Sequence, residues 1–296
     1  MRVHFLFLFF CSNSMYNSLQ GSVPEELGDL AELAYFQASA NMLSGNQLQQ
    51  LQVFYLGINQ LTGSIPASLS NALRLEAIDL SRNKFSGEIP KDLGRLKNQV
   101  GLVVGSNQLE ASNEDVWKFL DSLTNCTQLQ LLNIGVNQLG GILPSSVANL
   151  SATLESLQIG FNPMASTIPP GIKSLINLKT LDMAYCNFTG EIPDGIGNLA
   201  SLLLLDLASN KFTGRIPFSI GNLTLLNTLI LFDNGFEGQI PASIGNLQQL
   251  NLMVLYKNKL NGSIPKEMLS LPYISRELDS SQNLLEGSIP LGLMEA

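Results

Sequence analysis

The chain has 296 residues, 45% of them hydrophobic, which is enough for a sizeable core, and a formal net charge of −8 with no basic run. That balance excludes the electrostatic footprint of a nucleic-acid binder. Three widely spaced cysteines (Cys11, Cys126 and Cys186) support neither a disulfide framework nor a cysteine-based metal site. The single histidine, His4, lies at the apolar start, so no Ser-His-Asp or Cys-His arrangement can form further along.

The chain opens on an apolar run, Val3 to Cys11, behind Arg2. The run is far short of the roughly 20 residues a membrane-spanning helix needs. With Ser12 and Ser14 as small residues before a cut at Met15, residues 1–14 read as a signal peptide, and a short buried strand is the alternative.

From residue 15 onward one polar position recurs at Asn17, Asn41, Asn59, Asn83, Asn107, Asn137, Asn162, Cys186, Asn210, Asn234, Asn258 and Asn283, mostly 24 residues apart. Five and three residues before it sit apolar side chains, as in Leu205 with Leu207 or Met253 with Leu255. A period of two is the mark of a strand with one face inward, so each unit is expected to contribute one short parallel strand. Two residues after the position comes Leu or Phe. Four after comes usually Gly (Gly63, Gly214, Gly238), which permits a turn that a side chain would strain, and seven after comes Pro (Pro66, Pro217, Pro241), which ends any strand.

No such unit buries its apolar face alone, so neighbours must stack. The expected fold is therefore an α/β repeat solenoid of about twelve units over residues 15–296, with a parallel sheet on one face. Both ends read as cut, because the strand slots of the first unit hold Ser12 and Ser14 and the last unit stops at Ala296. The step of 18 residues from Asn41 to Asn59 reads as a degenerated repeat.

The recurring amide can donate to and accept from backbone groups that stacking would otherwise leave unpaired, and losing one such buried partner costs on the order of 1–3 kcal/mol. Asn59, Asn83, Asn107, Asn137, Asn162, Asn210, Asn234, Asn258 and Asn283 are thus expected to form a structural ladder. Cys186 stands in as a small thiol that tolerates burial, and Cys126 falls where other units carry Leu.

Residues four, two and one before the ladder position are expected to line the open face of the sheet. Phe161 and Tyr185 share one offset in adjacent units, Phe232 and Tyr256 share another, and Asp233 and Lys257 flank the second pair. Exposed aromatics are enriched at interface hot spots, so these six residues form the expected ligand surface, against the plainer reading that they favour β-structure and pack on each other. Asp79, Asp182, Asp206 and Asp279 recur at one strand offset and read as surface residues of the repeat. No metal site, cofactor or catalytic group is indicated. Sequons at Asn125, Asn149, Asn187, Asn222 and Asn261 could carry glycans if the chain is secreted. The insertion Leu109 to Leu129 holds Trp117, the single tryptophan, which is expected to pin that loop to the convex side.

The unit met in QVFYLGINQLTGSIPASLSNAL (Gln52 to Leu73) resembles the plant-type leucine-rich repeat of receptor kinases and receptor-like proteins, over nearly the whole chain after residue 15. Three irregular steps, at Leu109 to Leu129, Ser145 to Leu157 and Pro265 to Asn283, resemble the immune-receptor kinase subfamily that perceives bacterial proteins. The resemblance implies a right-handed superhelix or horseshoe outside the cell, with a concave parallel sheet and short 3-10 or loop segments on the convex side. It further implies a peptide or protein ligand, a leucine-rich-repeat co-receptor, and attachment to the membrane only through parts of a longer receptor bearing a Ser/Thr kinase. No kinase motif, membrane helix or paired-cysteine cap stands in this sequence. The rival readings are a secreted inhibitor of cell-wall-degrading enzymes and a truncated, non-signalling decoy.

Overall fold

The computed structural model describes residues 20–22, 35–37, 51–111, 117–273 and 277–288. Residues 1–14, the ladder positions Asn17 and Asn41, and the first part of the 18-residue step, up to residue 50, lie outside them.

Eleven three-residue strands, from Tyr35–Gln37 to Glu277–Asp279, form one wholly parallel sheet in chain order. The register is one unit to the next without slip: Leu181 pairs with Leu205, Leu205 with Leu229 and Leu229 with Met253. The alternating pattern therefore stacks leucine on leucine. Leu205 and Leu207 are fully buried, as are Met253 and Leu255, in a single continuous core.

Past each strand the chain turns at the ladder position. A second, unexpected set of two- to four-residue strands follows the turn, such as Gln60–Gly63, Lys84–Gly87 and Gln108–Ala111, pairing in parallel along one flank. The reading of one strand per unit is thus corrected to two in most described units, the unit of Ser156–Gln158 keeping only a bridge at Ala165. The second set is short because the glycine four residues past the ladder takes a positive φ, as at Gly63 (82°) and Gly214 (73°), and Pro follows three residues later. Those prolines sit extended at the start of 3-10 helices on the outer side, including Pro66, Pro193, Pro217 and Pro241. Their missing N–H falls where no donor is needed.

The insertion folds as an α-helix, Lys118–Leu123, whose Phe119, Leu120 and Leu123 are buried. Trp117 is buried as well, and its indole N–H donates to the Gly140 carbonyl at 3.1 Å. Gly140 belongs to the turn of the next unit, so Trp117 ties the insertion to that turn, while the helix packs between the outer 3-10 helices Leu93–Arg95 and Ser145–Asn149.

Two residues after the ladder, Phe188, Phe212 and Phe236 stack at centroid separations of 6.1 and 6.0 Å and form a buried aromatic spine. Core contacts of this kind run from unit to unit, which is why only a stack of repeats is stable.

Candidate ligand-binding face

The asparagine ladder fixes where each strand leaves the sheet. Asn234 donates to the carbonyls of Leu231 and Phe232 in its own unit and of Leu207 in the preceding one, while its oxygen accepts the N–H of Phe212. The same pattern holds at Asn83, Asn107, Asn137, Asn162, Asn210, Asn258 and Asn283, and the described part of it at Asn59. At Cys186 only long thiol contacts to Ile159 (3.8 Å) and Ala184 (3.5 Å) replace it. Burial pushes the Cys186 and Cys126 thiols up to about 11, so neither is a nucleophile at neutral pH.

The residue just before the ladder takes a left-handed conformation in every described unit from Ile58 to Gln282, with φ between 49° and 59°. This is the conformation that side chains other than Gly and Asn avoid. It persists because the rungs hold it: Phe161 N–H bonds the Ala184 carbonyl and Tyr185 N–H the Ala208 carbonyl, at 2.7 and 2.8 Å. Such a turn throws the side chain outward. Phe161 and Tyr185 are accordingly 47% and 46% exposed.

The position two before the ladder divides in a way the sequence reading did not anticipate. Gly105, Gly135, Gly160, Ala184 and Ala208 are buried there, whereas Phe232 and Tyr256 stand partly open. Strand-end polar groups explain the small residues. Asp182 accepts the Ala184 N–H at 3.1 Å, Asp206 the Ala208 N–H at 3.0 Å, Asp79 the Ser81 N–H and Asp279 the Ser281 N–H at 2.9 Å, and Asn133 fills the same role for Gly135. A Cβ on Gly160 would lie 2.5 Å from the Asp182 carboxylate, and one on Gly105 at the same distance from the Asn133 amide. The aspartates are therefore half-buried caps of the strand ends, not plain surface residues. Burial raises Asp79 and Asp182 above the usual carboxylate range and, with the Asp182 charge alongside, pushes Asp206 up to about 6.

Because Ala208 is small, the two aromatic pairs join. Phe161 stacks on Tyr185 at 4.3 Å, Tyr185 meets Phe232 edge to face at 6.2 Å, and Phe232 stacks on Tyr256 at 4.7 Å. At one end of this file Lys257 and Asp233 form an ion pair at 2.7 Å, with the Ser209 hydroxyl donating to Asp233. The Lys257 ammonium holds the Asp233 carboxyl below its ordinary range. All six residues named from the sequence thus lie along one file on the open face.

A concavity of about 980 Å³ lies elsewhere. It is a shallow trough along the proline turns, bordered by Glu191, Asp194, Arg215 and Phe218. Among the described residues no group of three metal-ligating side chains occurs, and no helix is long and apolar enough to cross a membrane. The sequon residues Asn125, Asn149, Asn222 and Asn261 are exposed and Asn187 is half exposed. Asn149 and Asn222 end 3-10 helices, Asn125 follows the insertion helix, and Asn261 lies in a flank strand, so none of these four is on the ring-bearing face.

Stacked parallel strands, an asparagine ladder and 3-10 turns define the class: the chain is a leucine-rich-repeat solenoid. The Leucine Rich Repeat family model matches residues 74–96, 128–150, 177–199, 201–223 and 225–247. The chain is similar to the ectodomains of plant receptor-like kinases. It is 39% identical over 99 residues to the receptor kinase-like protein Xa21 of rice, a stretch covering 33% of this chain and 9% of that protein. The plant peptide hormone receptor RGFR1, solved with RGF2, superposes with a TM-score of 0.81 at 30% identity, covering 93% of this chain and 40% of that one. The Arabidopsis receptor kinase HAESA, solved with the peptide hormone IDA and the co-receptor SERK1, gives 0.79 at 31% identity, with 93% and 42% covered. The chain thus spans less than half of these solved ectodomains and aligns with under a tenth of the rice relative.

Proposed function

We propose that the chain is the ligand-reading part of a plant receptor ectodomain in defence signalling, which binds an extracellular peptide or protein on the face carrying Phe161, Tyr185, Phe232 and Tyr256. The observation that carries this reading is the four-ring file. Phe161 and Tyr185, held half open by the left-handed turn, and Phe232 and Tyr256 beside them are placed to be covered, and rigid aromatics give up little entropy when they are. Eleven strands at about 4.8 Å spacing offer a face roughly 50 Å long, which suits an extended peptide. Likeness to ectodomains solved with peptide hormones supports the ligand class, and the structure solved with a co-receptor supports ligand-bridged recruitment of a second leucine-rich-repeat protein. The three irregular steps that resemble the immune-receptor subfamily favour defence over development. A kinase would belong to a longer receptor.

Four of the five sequons lie off the ring file, which fits a secreted protein whose glycans at those sites leave that face open. Expression in plant cells with a C-terminal tag tests the reading. A secreted, soluble product whose mass falls on glycosidase treatment is expected, and an unglycosylated or aggregated product would count against an extracellular role.

A further inference from the structure

Resting on that reading, we infer that the ring file takes a cationic side chain: an arginine or lysine of an extended peptide laid against Phe161 and Tyr185 and held by Asp182 and Asp206.

Asp182 and Asp206 are direct partners across adjacent strands, so two carboxylates stand one strand spacing apart, about 4.8 Å. Each has one oxygen engaged by its own strand's N–H. Neither has a Lys or Arg partner among the described residues. Two cations of neighbouring units are already committed, Lys257 to Asp233 at 2.7 Å and Lys179 to Glu155 at 2.9 Å. The pair therefore leaves negative charge without a compensating cation on this stretch of the face.

The rings bracket that charge. The Asp182 carboxylate lies over Gly160, the residue that precedes Phe161. Asp206 caps Ala208, the small residue across which Tyr185 reaches Phe232. The facing sides of the Phe161–Tyr185 stack cover each other, so a cation seated here packs its apolar stem on the exposed ring edges while its head meets the carboxylates. Arginine fits best, since the edge of its guanidinium can donate to two carboxylates at once. A neutral or acidic peptide would leave the two charges covered and unpaired, at a cost in affinity.

The test uses the secreted full chain and a displayed library of random twelve-residue peptides. Binders are selected on the wild type and counter-selected on a Phe161→Ser, Tyr185→Ser variant, so that only ring-dependent peptides survive. The survivors are expected to share an Arg or Lys. Their affinity should fall at least tenfold on the Asp182→Asn, Asp206→Asn variant, which keeps a side-chain oxygen to accept each backbone N–H, as Asn133 does. Replacing that peptide Arg by Gln should cost as much on the wild type and nothing further on the double variant. Ring-dependent peptides without a shared cation, or indifferent to the double variant, would overturn the cation site and leave the face reading standing. Failure to recover any ring-dependent peptide would overturn both. A single cooperative melt and an unchanged circular-dichroism spectrum for every variant separate these outcomes from misfolding.

Discussion

Tyr185 and Phe232 meet edge to face at 6.2 Å although a whole repeat separates their units, because the repeat between them presents Ala208 at the ring position. One small buried side chain thus turns two aromatic pairs into one file. Tyr185 touches both neighbours, so Tyr185→Ala should split the file. Each such ring contact is worth about 0.5–1.5 kcal/mol, and Tm is expected to fall by roughly 2–6 °C in a thermal melt.

Asp206 makes stability depend on pH. Its folded pKa of about 6 lies above the ordinary 3.8, so the folded state holds the proton more tightly than the unfolded chain. The stabilising contribution is present in full below pH ~3.8 and is lost as pH rises through about 6. Asp206→Asn removes this loss while keeping an oxygen for the Ala208 N–H. The variant should match the wild type near pH 4 and exceed it by about 1–2 kcal/mol at pH 7, after allowance for partial solvent screening. Melting curves at the two pH values check this.

Cys186 is the weak rung of the ladder, since its thiol reaches carbonyls only at 3.5 and 3.8 Å. Cys186→Asn should restore the bonds seen at Asn162 and Asn210. A gain of about 1–2 kcal/mol is expected in urea unfolding, with no change in m.

Gln99 occupies a slot filled by Leu75 and Leu129 in neighbouring units. It is fully buried, its amide donates to the Gly101 carbonyl at 2.8 Å, and its side-chain oxygen has no partner. Gln99→Leu removes the orphaned acceptor and should stabilise by about 1–3 kcal/mol, read as a rise in Tm.

Val136 is a β-branched residue held at φ 54° and is 50% exposed. Asn tolerates this conformation far better. Val136→Asn should stabilise by about 0.5–1 kcal/mol, whereas the same substitution at the buried strand residue Leu132 should unfold the unit.

Much of this was legible in the chain itself. Spacing alone placed Leu205, Leu207, Met253 and Leu255 in the core and the recurring asparagines at the strand exits, because a stacked repeat has one inward face and a fixed set of backbone groups to satisfy. The shared offsets also brought Phe161 beside Tyr185 and Phe232 beside Tyr256. What the offsets could not give was the meeting of Tyr185 with Phe232. Their offsets differ, and only the left-handed turn at Tyr185 swings its ring over Ala208. Nor could they show that Asp182 and Asp206 are half-buried caps: the residues on both sides look polar or small in sequence, and the difference lies in whether a side chain folds back to its own strand end. The second, flank sheet was hidden for a related reason, since two to four residues between a turn and a proline carry no period to read. Composition and spacing determined the solenoid, its core and its ladder. Tertiary structure decided which outward residues stand open, because that depends on backbone handedness at single positions and on the size of the neighbour one rung away.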